Sequence, residues 1–375
     1  MNLPPLSLYV HIPWCVRKCP YCDFNSHESR SIPEAAYVEA LLADLAGDAA
    51  LAQGRRLTSV FFGGGTPSLF GAGSIGRIIE AADTLIGLES SCEITLEANP
   101  GTAEAARFRG YRDAGVNRLS MGIQSFDSSH LTALGRIHDG TEAQRAIAMA
   151  QDAGFENLNL DLMHGLPGQT LESALADLAT ALSFSPPHVS WYQLTIEPNT
   201  AFYKTRPQLP GDDLLWDIHE AGEQLLLSHG FVHYEVSAFA QPGRQSRHNL
   251  NYWEFGDYLG VGAGAHGKVT RDGVHRYRKT RLPADYLDST KAFGTALEKV
   301  DEADVPFEFM MNALRLKEGV PAGFFEERTR MTATAINEAL VAARQAGLLD
   351  NTLDHYKPTR QGWLFLNDLL DFFIA

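Results

Sequence analysis

The sequence predicts an α/β protein: six β-α steps that give a parallel sheet with helices outside it, followed by a small, mostly helical, winged-helix-like C-terminal domain. Three observations predict it. Short apolar, strand-like runs alternate with segments of helical periodicity through the first 230 residues, the order that gives a parallel sheet with helices outside it. Residues able to do chemistry follow the ends of those runs, as expected where the C-terminal ends of parallel strands carry the site. From about Pro306 the pattern turns mostly helical. The expected divisions are residues 1–230 for the barrel, 231–300 for a barrel-closing segment and 301–375 for the C-terminal domain.

A first apolar run, residues 6–12, leads into Cys15-Val-Arg-Lys-Cys19-Pro-Tyr-Cys22, which Pro13 and Pro20 keep out of regular helix. Residues 33–53 read as a helix, because Val38, Leu41, Leu42 and Leu45 recur at helical spacing. Strands are expected at residues 57–62, 93–97, 118–123, 158–163 and 189–195, separated by helices at 74–88, 103–114, 141–153 and 171–182. Residues 212–229 read as a helix and 234–237 as a strand leading to the loop of His248. The glycine-dense run 256–267 is expected to pack its backbone closely on a ligand or another element. Further helices are expected at 307–316, 321–329 and 334–346, then a small hairpin pairing 347–350 with 356–359. In the last helix Trp363, Leu366, Leu369, Leu370, Phe372 and Phe373 make an apolar face expected to pack against the barrel.

Three of the four cysteines fall within eight residues at C-x3-C-x2-C spacing. Three thiolates on one short loop can hold three corners of an iron–sulfur cube, leaving one iron with an open position. Zinc, with His11 or His27 as fourth ligand, is the alternative. Disulfides are disfavoured in a large, Cys-poor chain with no legible secretory signal. Cys92, alone before an apolar strand, reads as a small core residue.

Other strand ends carry polar groups. Gly63-Gly64-Gly65-Thr66-Pro67 allows close backbone approach and is expected to present successive N–H groups to a carboxylate-like acceptor. Glu97 and Gln124 could hydrogen-bond a ribose or an amino acid. Asp161, a carboxylate in an apolar strand, calls for a partner: a polar ligand, a cap or a salt bridge to the next helix. Arg136 could hold a carboxylate bidentately or stand in solvent.

The chain as a whole sets limits. Its 45% hydrophobic and 21% charged residues are those of a folded protein. A net charge of −15 without a concentrated basic block argues against a nucleic-acid partner. No apolar run approaches the roughly 20 residues of a membrane span, and a cytoplasmic protein is expected.

The cysteine spacing, with Tyr21 as the aromatic residue before the last Cys, resembles the radical S-adenosylmethionine (SAM) superfamily. In that superfamily SAM chelates the open iron of a 4Fe–4S cluster and is cleaved to a 5′-deoxyadenosyl radical. Tyr9-Val-His-Ile-Pro, the Gly-Gly-Gly-Thr-Pro turn, Glu97-Ala-Asn-Pro, Ser120-Met-Gly-Ile-Gln-Ser-Phe126 and Asp161-Leu-Met-His-Gly-Leu-Pro narrow the resemblance to the family of oxygen-independent coproporphyrinogen III oxidase, over nearly the whole chain. The resemblance implies an open, partial barrel of six units, with Cys15, Cys19 and Cys22 as the cluster ligands. It also implies Tyr9, Gly64, Gly65, Thr66, Glu97, Gln124, Arg136 and Asp161 as SAM contacts, Gly64 to Thr66 standing where the superfamily has a GGE-like motif for the SAM amino group.

Two departures and one gain shift the expected function. Phe24 stands where the oxidase has a fourth cysteine, and eight residues precede Tyr9 where the oxidase carries a longer, site-closing segment. The gain is His248-Asn-Leu-Asn-Tyr252-Trp253, an H-N-x-x-Y-W motif. A neutral imidazole can ligate haem iron, and Tyr252 and Trp253 offer flat surfaces to a macrocycle. A hydrogen-bonded structural histidine is the alternative reading of His248, and His266 and His275 are lesser candidates for the ligand. The motif and the cysteine-to-phenylalanine change resemble the haem chaperone (HemW-type) branch of the family. That resemblance implies a chaperone that binds haem, with His248 on the iron, and passes it to acceptor haem proteins, membrane-bound respiratory ones among the candidates. A homodimer is one option for its assembly. The alternative is an enzyme: the oxidase itself or another radical SAM catalyst acting on a tetrapyrrole.

Overall fold

The computed structural model describes residues 3–101 and 105–374. Six β-α steps run in order: β1 (Leu6–Ile12), α1 (Glu34–Asp48), β2 (Leu57–Gly64), α2 (Ala72–Leu85), β3 (Leu88–Ala98), α3 (Ala105–Asp113), β4 (Arg118–Gln124), α4 (Gly140–Asp152), β5 (Leu158–His164), α5 (Leu171–Ser183), β6 (His188–Gln193) and α6 (Asp212–Ser228). Each answers to an expected element. Strands β1, β4 and β5 are buried almost end to end, as parallel strands covered on both faces must be. Helices α4 and α5 start at capping boxes, Asp139 with Glu142 and Thr170 with Ser173. The first helix is shorter than its periodicity suggested: it ends at Asp48 and finishes in a 3-10 turn, Ala49–Ala52, where Gln53 turns left-handed. Ala103, the expected start of the third helix, lies outside the described residues.

The strand expected at 234–237 forms two residues earlier, as Val232–Glu235 (β7), and the sheet then continues beyond what the pattern announced. Strand β7 pairs antiparallel with Ala238–Ala240 (β8), which pairs antiparallel with β6. Helix α7 (Arg247–Trp253) leads to β9 (Asp257–Val261), β10 (His266–Thr270), β11 (Val274–Arg278) and β12 (Glu298–Lys299). Strand β9 pairs in parallel with β1 on the side away from β2, and β10 to β12 add antiparallel strands outside it. Among the described residues the order is β12-β11-β10-β9-β1-β2-β3-β4-β5-β6-β8-β7. The barrel is therefore open, and β1 lies between the parallel half and the antiparallel extension.

Two buried ionic networks hold that extension. Asp257 accepts from Arg55 (2.6 Å), Lys268 (3.0 Å) and the backbone N–H of Thr270 (2.9 Å). Lys279 donates to Asp44 (2.5 Å) and Asp48 (2.6 Å) on α1, and Tyr286 Oη donates to Asp44 at 2.6 Å. Removing one partner of either would strand a buried charge.

The C-terminal helices α8 (Val305–Ala313), α9 (Gly323–Thr329), α10 (Asn337–Gln345) and, after α11 (Arg360–Leu364), α12 (Leu366–Leu370) share a second core. It joins Phe309, Phe325, Leu340 and Leu369 to Tyr234, Ala238, Phe255 and Val274 of the sheet. The expected hairpin is present as a bridge from Leu349 to Pro358. Tyr356 also pairs with Val320. The last helix is broken at Phe365, yet its apolar face holds: Leu369, Leu370 and Phe373 are buried and Trp363, Leu366 and Phe372 half-buried, while Leu364 and Phe365, off that face, are exposed. No described helix is long and apolar enough to cross a membrane.

Candidate functional site

A two-residue ladder pairs Trp14–Cys15 with His27–Glu28, closing the cysteine segment into a loop just beyond β1. Each thiol has a donor beside it. Thr66 Oγ1 lies 3.6 Å from Cys15 Sγ, Arg136 Nη1 3.7 Å from Cys19 Sγ, and Ser26 Oγ 3.7 Å from Cys22 Sγ. Burial pushes the Cys15 and Cys22 thiols up, so in the free protein they hold their protons. Of the two histidines offered to zinc, His27 leaves its buried Nε2 without a partner among the described residues, whereas His11 is committed. His11 has both ring nitrogens engaged, with Tyr9 Oη at 2.7 Å and the Asn25 carbonyl at 2.9 Å. Among the described residues no three His, Cys, Asp or Glu side chains converge on one ion. A 4Fe–4S cluster asks for something else, one thiolate on each of several irons, and three thiols spread over an open loop fit that demand.

Beside the loop lies a cavity of about 290 Å³, lined by the three cysteines and by Gly64, Gly65, Thr66, Glu97, Gln124, Arg136 and Asp161. It brings together every expected SAM contact except Tyr9, which lines a second cavity. Asn99, at the end of β3, was not singled out in the sequence, yet it ties the wall together. Arg136 Nη2 donates to Asn99 Oδ1 (2.7 Å) and to the Gly122 carbonyl (2.6 Å), and Asn99 Nδ2 donates to Thr66 Oγ1 (3.0 Å). A Cβ on Gly122 would come within 2.6 Å of Asn99 Oδ1, so the glycine is what lets Arg136 close on the strand. Gln124 adopts a left-handed φ of 70° and accepts from Tyr192 Oη at 2.6 Å, a strained backbone of the kind that gathers at functional sites.

Two expectations change here. The N–H groups of the glycine turn are not free for a ligand: Gly64 donates to Glu97 Oε2 (3.2 Å), Gly65 to the Ile12 carbonyl (2.7 Å) and Thr66 to the Trp14 carbonyl (2.8 Å). Asp161 is neither a cap nor half of a salt bridge, since it accepts from Ser120 Oγ (3.0 Å) and Asn159 Nδ2 (2.7 Å). Burial raises the Asp161 carboxyl, and burial together with Asp161 pushes Glu97 up to about 8.

The second cavity, about 1050 Å³, meets the first at Gly64, Glu97 and Phe24, which line both. Phe24 is 63% exposed. One wall is aromatic: Tyr9, Phe61, Tyr252, Trp253 and Tyr258. The buried Trp253 indole N–H has no hydrogen-bond partner among the described residues, and the Arg315 guanidinium lies 4.2 Å over its ring. The floor is the antiparallel extension. Strand alternation and the pairings His266 with Arg278 and Lys268 with Arg276 put these four side chains on one face, and all four line the cavity. Burial, then Arg276 and Arg278, lowers the pKa of His266, which leaves its imidazole neutral near pH 7.

His248 is not brought to this surface. Its ring stacks on Phe61 with centroids 4.1 Å apart, Nδ1 lies 3.1 Å from Ser246 Oγ, and Glu93 Oε1 is 3.6 Å away. Phe61 stands between it and the cavity. The sequence could not show this, because the H-N-x-x-Y-W motif forms helix α7, on which His248 and Tyr252 take different depths. His275, the other lesser candidate, lies 3.5 Å from Asp272 and does not line the cavity.

An open parallel sheet with a three-cysteine loop at its carboxyl edge defines a radical SAM protein. The radical SAM superfamily pattern matches residues 9–180, and the HemN C-terminal domain pattern matches residues 300–365. Membership of that superfamily implies a 4Fe–4S cluster and SAM. The chain is 52% identical to the heme chaperone HemW of Haemophilus influenzae, over 100% of this chain and 99% of that one. It is 51% identical to the heme chaperone HemW of Escherichia coli over 100% of both. The chain belongs to the HemW family. Among solved structures, the radical SAM enzyme coproporphyrinogen III oxidase (HemN) of Escherichia coli shares its fold, with a TM-score of 0.83 at 23% identity over 100% of this chain and 91% of that one.

Proposed function

We propose that this protein is a haem chaperone on a radical SAM scaffold: it binds haem in the larger cavity and passes it to acceptor haem proteins. The observation that carries the reading is that cavity. At about 1050 Å³ it stands at the upper end of the roughly 300–1,000 Å³ of ligand sites, and its aromatic wall suits a flat macrocycle. The names of the HemW relatives agree with it.

Cys15, Cys19 and Cys22 hold the cluster, and Arg136, Gln124, Asp161, Glu97 and the turn Gly64 to Thr66 hold SAM. When bound, these groups supply one-electron chemistry at a shielded site. The chain's own part is positional. Arg136 offers a half-buried positive charge to a carboxylate, the glycine turn lets a ligand approach its backbone closely, and Gln124 and Asp161 present hydrogen-bonding edges. Tyr9 belongs to the shared side of the site, its hydroxyl fixed by His11. Tyr252 and Trp253 form the haem wall, with His248 packed behind Phe61 in support. Residues 1–230 form the cluster-bearing unit, 231–300 the segment that builds the cavity floor, and 301–375 the unit that backs it.

The test pairs two assays. Hemin-loaded protein mixed with apomyoglobin is expected to bind hemin in a 1:1 ratio and deliver it. Anaerobically reconstituted protein given coproporphyrinogen III and SAM is expected to leave the substrate intact. Decarboxylation at a catalytic rate would overturn the chaperone reading in favour of the oxidase.

A further inference from the structure

Each histidine near the larger cavity can be asked whether a ring nitrogen is free to reach a ligand there. His11 has both nitrogens committed, and His248 sits behind Phe61. His275 points to the opposite face of β11 from Arg276 and Arg278. His266 differs from all three. It lines the cavity, it is exposed, and no hydrogen bond or ion pair engages its ring among the described residues.

The basic groups around the cavity divide in the same way. Lys268 is held by Asp257, Lys279 by Asp44 and Asp48, and Arg276 by Glu308 (2.7 Å). Arg278 and Arg281 are exposed at the cavity and have no acidic partner among the described residues. In a chain of net charge −15, two guanidinium groups without a carboxylate beside an aromatic-walled cavity mark a place for an anionic edge. Arg278 pairs directly across the strands from His266, so the neutral ligand and the cation stand side by side on the floor.

We propose that His266, not His248, is the axial ligand to the iron of a haem seated in the larger cavity, and that Arg278 and Arg281 receive the haem's carboxylate side chains. The proposal rests on the reading of this cavity as the haem site. The macrocycle lies between the aromatic wall and the antiparallel floor, with its iron towards β10 and its carboxylates towards the mouth. Coordination forms one bond from an imidazole nitrogen to the iron and changes no oxidation state.

The full chain is titrated with hemin, with metal-free protoporphyrin IX and with hemin dimethyl ester, as wild type, His266→Ala, His248→Ala and the double variant Arg278→Gln/Arg281→Gln. In His266→Ala the Soret band is expected to shift. Hemin affinity should fall by more than the roughly 10–100-fold that losing a mere supporting partner of a metal ligand costs. Protoporphyrin IX should bind unchanged, and added imidazole should restore the Soret band. In His248→Ala the Soret band is expected to stay as in wild type. The arginine variant should weaken hemin and protoporphyrin IX about tenfold and leave the dimethyl ester unaffected. An unaltered Soret band and hemin affinity in His266→Ala overturn the proposal, as does loss of the band in His248→Ala alone. Failure of the wild type to bind hemin overturns the haem reading of the cavity itself.

Discussion

The two cavities that meet at Gly64, Glu97 and Phe24 are built on opposite plans. In the smaller one Arg136 and Asp161 are already tied to the frame, Arg136 to Asn99 and Gly122 and Asp161 to Ser120 and Asn159. In the larger one the wall is aromatic, His266 has no partner among the described residues, and Arg278 and Arg281 have no acidic one, Arg281 donating only to the Asn25 side-chain carbonyl at 3.2 Å. A frame that is ordered beforehand spends little on ordering when it binds, which suits groups that stay. A cavity whose polar groups wait for a guest, and whose mouth faces solvent, suits a guest that comes and goes.

That contrast can be broken most decisively at the cysteines. Replacing any one of Cys15, Cys19 and Cys22 by Ala is expected to abolish the reconstituted cluster, read as iron and sulfide content. Hemin affinity should stay within about threefold, because only about 1.4 kcal/mol separates tenfold steps and no cysteine lines the larger cavity. A parallel loss of hemin binding would show that the cavities are one site.

Glu97, on the shared wall, sharpens the comparison through pH. Its carboxyl is raised from 4.5 to about 8 in the folded, cofactor-free protein. Between those values the folded state holds a proton that the unfolded state has lost, so this group's contribution is full below about 4.5 and is lost as pH rises through 8. At 1.36 kcal/mol per unit the window is worth roughly 3 to 5 kcal/mol. Denaturant midpoints should fall across it in the wild type and much less in Glu97→Gln, and equal slopes would remove Glu97 from the account.

Smaller effects should each stay on one side of the wall. Arg136→Ala is expected to weaken SAM binding by about 10- to 100-fold, the worth of about 1.5–3 kcal/mol for a hydrogen bond to a charged group, with hemin binding unchanged by calorimetry. Trp253→Ala should do the converse. A loss of about 1 kcal/mol of aromatic contact weakens hemin severalfold in absorbance titrations and leaves SAM affinity alone.

The smaller cavity was legible in the sequence because its residues lie at the ends of strands whose order dictates where they meet. Cys15, Thr66, Glu97, Gln124 and Asp161 could be placed without coordinates, for parallel strands deliver their C-terminal residues to one edge. Asn99 stands within the Glu97-Ala-Asn-Pro motif but carries no charge or pattern that marks it as the link between Arg136 and Thr66. The larger cavity was not legible. Its floor depends on β9 joining β1 across more than 240 residues, and on a strand alternation in β10 and β11 that a glycine-dense run conceals. His248 illustrates the limit: a motif names neighbours along a helix, and depth behind Phe61 is a property of packing.

Strand β1 carries a consequence of its own. Its seven residues pair with the glycine-turn strand on one side and with the first strand of the cavity floor on the other, and its end runs into the cysteine loop. Close-packed interiors do not absorb displacement. That one beam is a shared timber: a packing fault in it would be felt in both rooms, although each is furnished by its own side chains.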